Sequence, residues 1–198
     1  MRRFVLAVKF AFALFYAGQA YADNFEAIRQ TSGFVPASKL ANELNSEKFA
    51  CIDFDKASMT CSMILRATTW WWKDAREMFI LLKSKPRFLL KGTFVTKQKA
   101  HADDFLCSIV ETISVHVDIP PHLLQNAKIV SAAKRAELSL EQDMLNQSLV
   151  CDAFFDSDRG YILRSYDENG DPHPDYEPSK IEFFEQKPAL REPPIDTE

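Results

Sequence analysis

Four cysteines are the feature that most limits how this chain can fold. They stand at positions 51, 61, 107 and 151 of a 198-residue sequence. An even number of cysteines in an exported protein is typical of paired disulfides, and four cysteines allow three connectivities. The sequence has no C-x-x-C motif for redox exchange and no zinc-ligand spacing. We therefore expect two structural disulfides.

The spacing of the first two cysteines favours one connectivity. Segments 49–55 and 59–67 both have the alternating pattern of β-strands. A three-residue turn at 55–57 would place Cys51 directly opposite Cys61, where facing Cβ atoms lie about 4.5–5.5 Å apart, close to bridging distance. The bond Cys51–Cys61 leaves Cys107–Cys151 as the second bond. Because it closes the longer loop, we expect this second bond to contribute more stability, on the order of 3–4 kcal/mol.

The beginning of the chain has the layout of a secretory signal peptide. Basic residues Arg2 and Arg3 precede a mostly apolar run at 4–17, and small residues at Ala20 and Ala22 fit a cleavage site. The run is shorter than the about 20 residues that a membrane span needs. An uncleaved anchor and a twin-arginine export route are weaker alternatives. We predict a signal peptide at 1–22, no transmembrane span after its removal, and a periplasmic or extracellular location.

Charge divides the rest of the chain into a neutral body and an acidic end. The whole sequence has a formal net charge of −4, and losing the signal peptide removes bases but no acids. This balance argues against a protein that binds nucleic acid through overall positive charge. Residues 186–198 are rich in proline and charge, which is typical of disorder. We predict one domain at 23–185 followed by a disordered tail at 186–198.

Strand patterns dominate the body, with one long helix before the last hairpin. The clearest strand is 105–118, and a helical pattern ends near Leu149, with Ser131 as one possible N-cap. One face of that strand is expected to carry Phe105, Cys107, Ile109, Ile113, Val115 and Val117. The order of elements lacks a βαβ alternation. It predicts an α+β fold, in which an antiparallel sheet of about six to eight strands packs one face against the helix.

The most unusual local feature is a run of three tryptophans followed by basic residues. Between positions 73 and 99 there are eight bases and two acids. Aromatic side chains beside cations stack on sugar rings, bind anionic polymers or enter a bilayer interface. The alternative is that a tryptophan belongs to the core and the bases form a solvated strand face. We predict a ligand-binding segment that consists of Trp70, Trp71, Trp72, Lys73 and Arg76.

This segment predicts a non-catalytic module that binds a polysaccharide, an anionic lipid or a protein. The sequence has no G-x-S-x-G, H-E-x-x-H, P-loop or G-x-G-x-x-G motif. The alternative is a secreted hydrolase or metal-assisted enzyme that uses His101, Asp103 and Asp104, since a histidine beside carboxylates suits acid–base chemistry or metal binding. We predict no catalytic residue, no metal ligand set and no cofactor.

An acidic turn partly resembles a calcium-binding loop. Oxygen-bearing side chains at Asp167, Asn169 and Asp171 have the spacing of the first three donors of such a loop. Proline occupies the sixth and twelfth positions, Pro172 and Pro178, where the motif requires glycine and glutamate. The turn is therefore explained by the ordinary preference of Asp, Asn, Gly and Pro for turns.

Overall fold

The computed structural model describes residues 24–44, 48–70, 73–82, 87–98 and 104–192. The strands are β1 (Phe34–Val35), β2 (Phe49–Ile52), β3 (Thr60–Cys61), β4 (Met63–Trp70), β5 (Lys73–Leu81), β6 (Leu89–Gln98), β7 (Leu106–Asp118), β8 (Val150–Asp156), β9 (Tyr161–Tyr166), β10 (Ser179–Phe184) and β11 (Ala189–Leu190). The helices are α1 at 24–29, α2 (Ala41–Leu44) and α3 (Ala127–Leu145), with 3-10 turns at Ala37–Leu40 and Pro121–Leu123.

Nine of these strands form one antiparallel sheet that closes on itself. Its order is β1-β8-β7-β6-β5-β4-β2-β10-β9. Strand β8 also pairs with β9, so eight strands complete a ring, and β1 lies against β8 beyond the end of β7. The antiparallel sheet, the long helix and both disulfides are as expected. Strands outweigh helices more than the α+β prediction implied.

The inner side of the ring is filled by apolar residues from all around it. One cluster contains Met78, Leu90 and Val115 beneath α3. The other contains Ile52, Phe154 and Ile181 with the N-terminal 3-10 turn. The two clusters share the half-buried residues Met63 and Leu65 of β4 and therefore form one continuous interior. This interior is completed by an apolar stripe of α3, which contains Ile129, Ala133, Leu140 and Met144.

The outer side carries two further clusters, and each contains one disulfide. Cys107–Cys151 joins directly opposed residues of β7 and β8 beneath α1. Cys51–Cys61 lies in a cluster with Ile64 and Phe79. All four cysteines are at most 2% exposed. Both predicted bonds are confirmed.

The hairpin that carries Cys51 and Cys61 has a different register from the one predicted. Cys51 lies opposite Ile64 in the β2–β4 ladder, and the turn is closed by a bridge between Asp55 and Thr60. Asp53 and Met59 adopt positive φ angles of 51° and 56°. These angles break the ladder, and Cys61 enters the separate strand β3, where its Cα atom lies 5.5 Å from that of Cys51.

The strand at 105–118 is confirmed as β7, but its residues do not share one face. Its register against β6 shifts where Thr112 pairs with Val95 and Val110 pairs with Thr96, which leaves Glu111 as the extra residue of a bulge. A bulge reverses the alternation of side chains. Cys107 and Ile109 consequently belong to an outer cluster, whereas Ile113, Val115 and Val117 belong to the inner one.

Helix α3 covers the part of β7 that β8 does not reach. Strand β8 pairs with β7 only at residues 106–108. Farther along, Glu141 Oε1 accepts a hydrogen bond from the Val115 N–H at 3.0 Å, and Glu137 Oε1 accepts one from the Val117 N–H at 2.9 Å. The helix therefore takes the place of a strand at this edge. Its N-cap is Asn126, whose side chain accepts bonds from two backbone N–H groups, and not Ser131.

The segment after β10 packs on the outer side of the sheet. The composition of the sequence predicts disorder from Gln186 onward. Instead, Ala189 and Leu190 pair in parallel with Thr60 and Cys61, and the Arg191 N–H donates to the Cys61 carbonyl at 2.6 Å. Lys187 Nζ lies 3.4 Å from the centre of the Phe79 ring. Residues 193–198 lie outside the described part of the chain.

Candidate functional site

The tryptophan-containing segment joins two long neighbouring strands. Strands β4 and β5 are paired without interruption from Met63 opposite Ile80 to Trp70 opposite Lys73. The last residues of this pairing, Trp70 and Lys73, lie directly opposite each other. Trp71 and Trp72 lie outside the described residues, as do the side chains of Trp70 and Lys73.

Arg76, the last member of the predicted site, is directed to the inner side of the ring. Along β5, Ala75 and Phe79 are buried and Phe79 belongs to an outer cluster, whereas Met78 belongs to the inner one. Alternation along a strand places Arg76 on the inner side with Met78. The structure brings Trp70 and Lys73 together at the end of the β4–β5 ladder and directs Arg76 into the ring.

Several bases of the predicted basic run pair with acids. Lys91 contacts Asp118, and Lys97 contacts Glu111 across the β6–β7 ladder. Arg87 contacts Glu192 of the C-terminal segment. The concentration of positive charge read from the sequence is therefore partly neutralised by residues distant along the chain. Such surface pairs contribute little stability individually, but they reduce the attraction for an anionic partner.

The residues of the predicted hydrolase site are only partly described. His101 and Asp103 lie outside the described residues. Asp104 Oδ2 accepts a hydrogen bond from Arg29 Nε at 2.9 Å, and the Asp104 carbonyl accepts one from the Ala37 N–H at 2.9 Å. Asp104 therefore anchors the N-terminal segment to the start of β7.

The acidic turn uses its oxygens on its own backbone. Asp167 Oδ1 accepts hydrogen bonds from the N–H groups of Asn169 and Asp171 at 2.8 and 3.0 Å. Asn24 Nδ2 donates to the Asn169 carbonyl at 3.1 Å, which ties the turn to α1. Gly170 has a φ of +82°, and a Cβ there would lie 2.9 Å from the Cβ of Asn24, so the turn requires glycine. Among the described residues no cluster of His, Cys, Asp or Glu side chains is placed to hold a metal ion.

A polar cluster on the inner side of the ring was not predicted from the sequence. Asp152 of β8 lies between Leu106 of β7 and Ser165 of β9. Its neighbours Cys151 and Ala153 are fully buried in an outer cluster, so its own side chain is directed inward. Ser165 Oγ donates a 2.6 Å hydrogen bond to Asp152 Oδ1.

Two aromatic residues from the following loop complete this cluster. The His173 N–H donates to the Ser165 carbonyl at 2.9 Å, and the His173 and Tyr176 rings lie 4.8 Å apart. His173 is 7% exposed and Tyr176 is 37% exposed. His173 Nδ1 accepts a 3.3 Å hydrogen bond from the Asp175 N–H, so the neutral ring carries its proton on Nε2. We call Asp152, Ser165, His173 and Tyr176 the Asp152 cluster.

Burial determines how these groups hold their protons. It raises the pKa of Asp152, against the opposing effects of the Ser165 hydroxyl and of electrostatic interactions with Arg76 and His173. Burial also raises the pKa of Tyr176, and the negative charge of Asp152 adds to this effect, whereas a hydrogen bond from Gln147 opposes it. Asp152 nevertheless remains half-buried, so solvent reaches the cluster.

Sequence reasoning missed the Asp152 cluster because its members come from separate segments. The cluster and its neighbours Arg76 and Gln147 lie on five segments of the chain: β5, the loop after α3, β8, β9 and the loop after β9. No short motif links these segments. One local signal was available: Asp152 interrupts the otherwise apolar run from Leu149 to Phe155. A charged residue in such a run is either exposed at an edge or paired in the interior.

Comparison with known proteins adds no relative. The chain matches no family model, and no curated protein or solved structure is significantly similar to it. None of the helices in the described ranges is long and apolar enough to span a membrane. The class that the fold defines is a disulfide-linked protein with a closed antiparallel sheet and a helix along one of its edges.

Proposed function

We propose that this chain is an exported, non-catalytic binding module that contacts a polysaccharide through the aromatic segment 70–73, where strands β4 and β5 meet. The observation that carries the proposal is the unbroken β4–β5 ladder, which ends at Trp70 opposite Lys73. Consecutive aromatic side chains offer flat apolar faces on which sugar rings stack. The predicted signal peptide at 1–22 and the two disulfides support export, because disulfides persist in oxidising compartments.

The paired bases favour a polysaccharide over an anionic lipid. Binding to a lipid surface by a basic aromatic segment depends on the sum of several free cations. Lys91, Lys97 and Arg87 contact acidic side chains, and Arg76 is directed inward. Stacking of sugars on tryptophan does not require this positive charge.

The experiment compares the purified mature chain with a Trp71→Ala/Trp72→Ala variant. Binding to insoluble peptidoglycan, cellulose and chitin is measured by co-sedimentation, and binding to phosphatidylglycerol vesicles is measured in parallel. We expect the variant to lose at least about tenfold in affinity for the polysaccharide, since stacking contributes about 1 kcal/mol or more per aromatic residue.

The matched control is Met59→Ala, which removes a 60% exposed apolar side chain from the turn of a different hairpin. It should bind as the unaltered chain does. Equal binding by the tryptophan variant and the control would refute the proposal, and binding only to the anionic vesicles would replace the polysaccharide with a lipid surface.

A further inference from the structure

The outward side of helix α3 carries leucines that the fold leaves exposed. The inner stripe of the helix, which includes Ala133 and Met144, packs on the interior of the ring. Leu138 and Leu145 are 45% and 47% exposed. They are seven residues apart, two turns of the helix, and the exposed Ser131 lies seven residues before them on the same face. We call Ser131, Leu138 and Leu145 the outer stripe of α3.

The charges of α3 are arranged against its own dipole. Residues 127–136 contain three bases and no acid, and residues 137–145 contain three acids and no base. The bases are Lys128, Lys134 and Arg135, and the acids are Glu137, Glu141 and Asp143. A helix dipole favours the opposite order, because its N-terminal end is positive and its C-terminal end is negative. This order is unfavourable in a single helix, and it favours a partner helix that runs in the opposite direction.

A second copy of α3 that runs antiparallel satisfies the outer stripe. When a two-fold axis passes beside Leu138, the two copies of Leu138 meet. Leu145 of each copy then lies opposite Ser131 of the other, because position 138 is the midpoint of 131 and 145. The small serine leaves room for the leucine side chain. A two-fold contact is self-complementary, so one stripe serves both copies.

The residues beside the stripe match in the same register. Lys134 and Glu141 flank Leu138 on one side, and Arg135 and Gln142 flank it on the other, since neighbours on a helix surface are three or four positions apart. Their midpoints, 137.5 and 138.5, coincide with Leu138. Lys134 of one copy therefore lies opposite Glu141 of the other.

Charge also selects this register over the next one along the stripe. An axis half-way between Ser131 and Leu138 would bring Lys134 and Arg135 of one copy against the same two bases of the other, which is repulsive. With the axis beside Leu138, the basic half of each helix faces the acidic half of the other. The Lys134 ammonium has three donors, so it can contact Glu137 of its own helix and also approach the other copy.

We propose that α3 pairs with α3 of a second copy of this chain in an antiparallel two-fold dimer centred on Leu138. The outer stripe spans residues 131–145, about 21 Å of helix. One helix pair of this length buries less than the about 800 Å² per partner of a standard interface, so the dimer is weak and depends on concentration. It does not involve the aromatic segment 70–73, and polysaccharide binding does not test it.

The first test follows the mass of the purified mature chain by sedimentation equilibrium. We expect monomers near about 1 μM and dimers towards about 1 mM. Leu138→Glu should raise the dissociation constant at least about tenfold, because two carboxylates would meet at the axis. Leu124→Glu is the matched control, since Leu124 is 56% exposed but precedes α3 and has no counterpart on the other helix. It should dimerise as the unaltered chain does.

The second test determines the direction of the helices from two exposed positions. Arg135→Glu and Gln142→Lys should each weaken the dimer about fivefold or more, because each places like charges opposite one another twice. The double variant Arg135→Glu/Gln142→Lys should restore it, since Glu at 135 then faces Lys at 142 of the other copy. In a parallel pair each position would face itself, and the double variant would not recover.

Three results would each overturn the proposal. The first is a chain that stays monomeric up to about 1 mM. The second is a dimer that Leu138→Glu weakens no more than Leu124→Glu does, which would place the contact on another face. The third is a double variant that dimerises no better than the two single variants.

Discussion

The two disulfides close loops of different length but are equally buried. Removing them separately therefore tests what each bond contributes to stability. Cys51–Cys61 has a sequence separation of 10 and Cys107–Cys151 one of 44. All four cysteines are at most 2% exposed, and Cys→Ala changes at either pair remove the same two sulfur atoms from packed surroundings. The packing losses of the two double variants should therefore be similar.

Loop closure then determines the difference between the variants. The chain-entropy relation gives about 2.7 kcal/mol for the shorter loop and about 4 kcal/mol for the longer one. The Cys107→Ala/Cys151→Ala variant should consequently be less stable than the Cys51→Ala/Cys61→Ala variant by about 1.3 kcal/mol. The bond between β7 and β8 also holds the ends of the segment that contains α3.

The free energy of unfolding is measured by guanidinium titration with tryptophan fluorescence, and the slopes of the three proteins are compared to verify two-state behaviour. A Cys51→Ala/Cys61→Ala variant that lost as much stability as the other, or more, would refute the reasoning. The contacts of Cys61 with the C-terminal strand would then outweigh loop length.

Three further outcomes follow from particular contacts. Glu137→Ala should cost about 1–3 kcal/mol in urea unfolding, because the Val117 N–H loses its acceptor, whereas Glu137→Gln should cost less. Burial acts to raise the pKa of Glu137, but hydrogen bonds from the Val117 N–H and Lys134 outweigh this effect and hold the pKa below its ordinary value of 4.5. The stabilisation from Glu137 should therefore be complete above pH 4.5 and disappear as the pH falls through the lowered pKa. Burial raises the pKa of Asp152, so the unaltered chain should lose stability as the pH rises above the ordinary value of 3.8. Asp152→Asn should show a smaller fall in Tm over the same rise in pH, and an equal fall would contradict this. Leu190→Ser should lower the free energy of unfolding by about 1 kcal/mol, since Leu190 packs against an outer cluster; no change would indicate an unattached tail.

Much of the strand pattern was visible in the sequence because alternation along each strand reflects burial on one side. The disulfide pairing followed from the same pattern, although the register did not. The positive φ angle of Met59 has no signature in its residue type, and aspartate adopts such angles too rarely for Asp53 to have indicated one. Glu111 is a charged residue in an otherwise apolar strand face, and this indicates an irregularity. The bulge reverses which side of the sheet the later side chains occupy, and that depends on the pairing of β7 with β6.

The parts that sequence reasoning missed depend on contacts between distant segments. Glu137 lies on the buried side of α3 because it bonds to the edge of β7, an exception to the rule that charged residues face solvent. The C-terminal segment is ordered by β3 and not by its own composition. The Asp152 cluster likewise exists only once β8 and β9 are paired.

The closure of the sheet has a consequence for the time at which the protein can fold. Strand β2 completes its pairing with β10, so Ile52 has to meet Ile181 before the ring exists. Such distant contacts are slow to form, because loop entropy is lost before they are gained. During synthesis, the hairpins β4–β5 and β5–β6 can form early, while β2 keeps an open edge until β10 has emerged. This chain is therefore most prone to aggregation until β10 has been synthesised and has paired with β2.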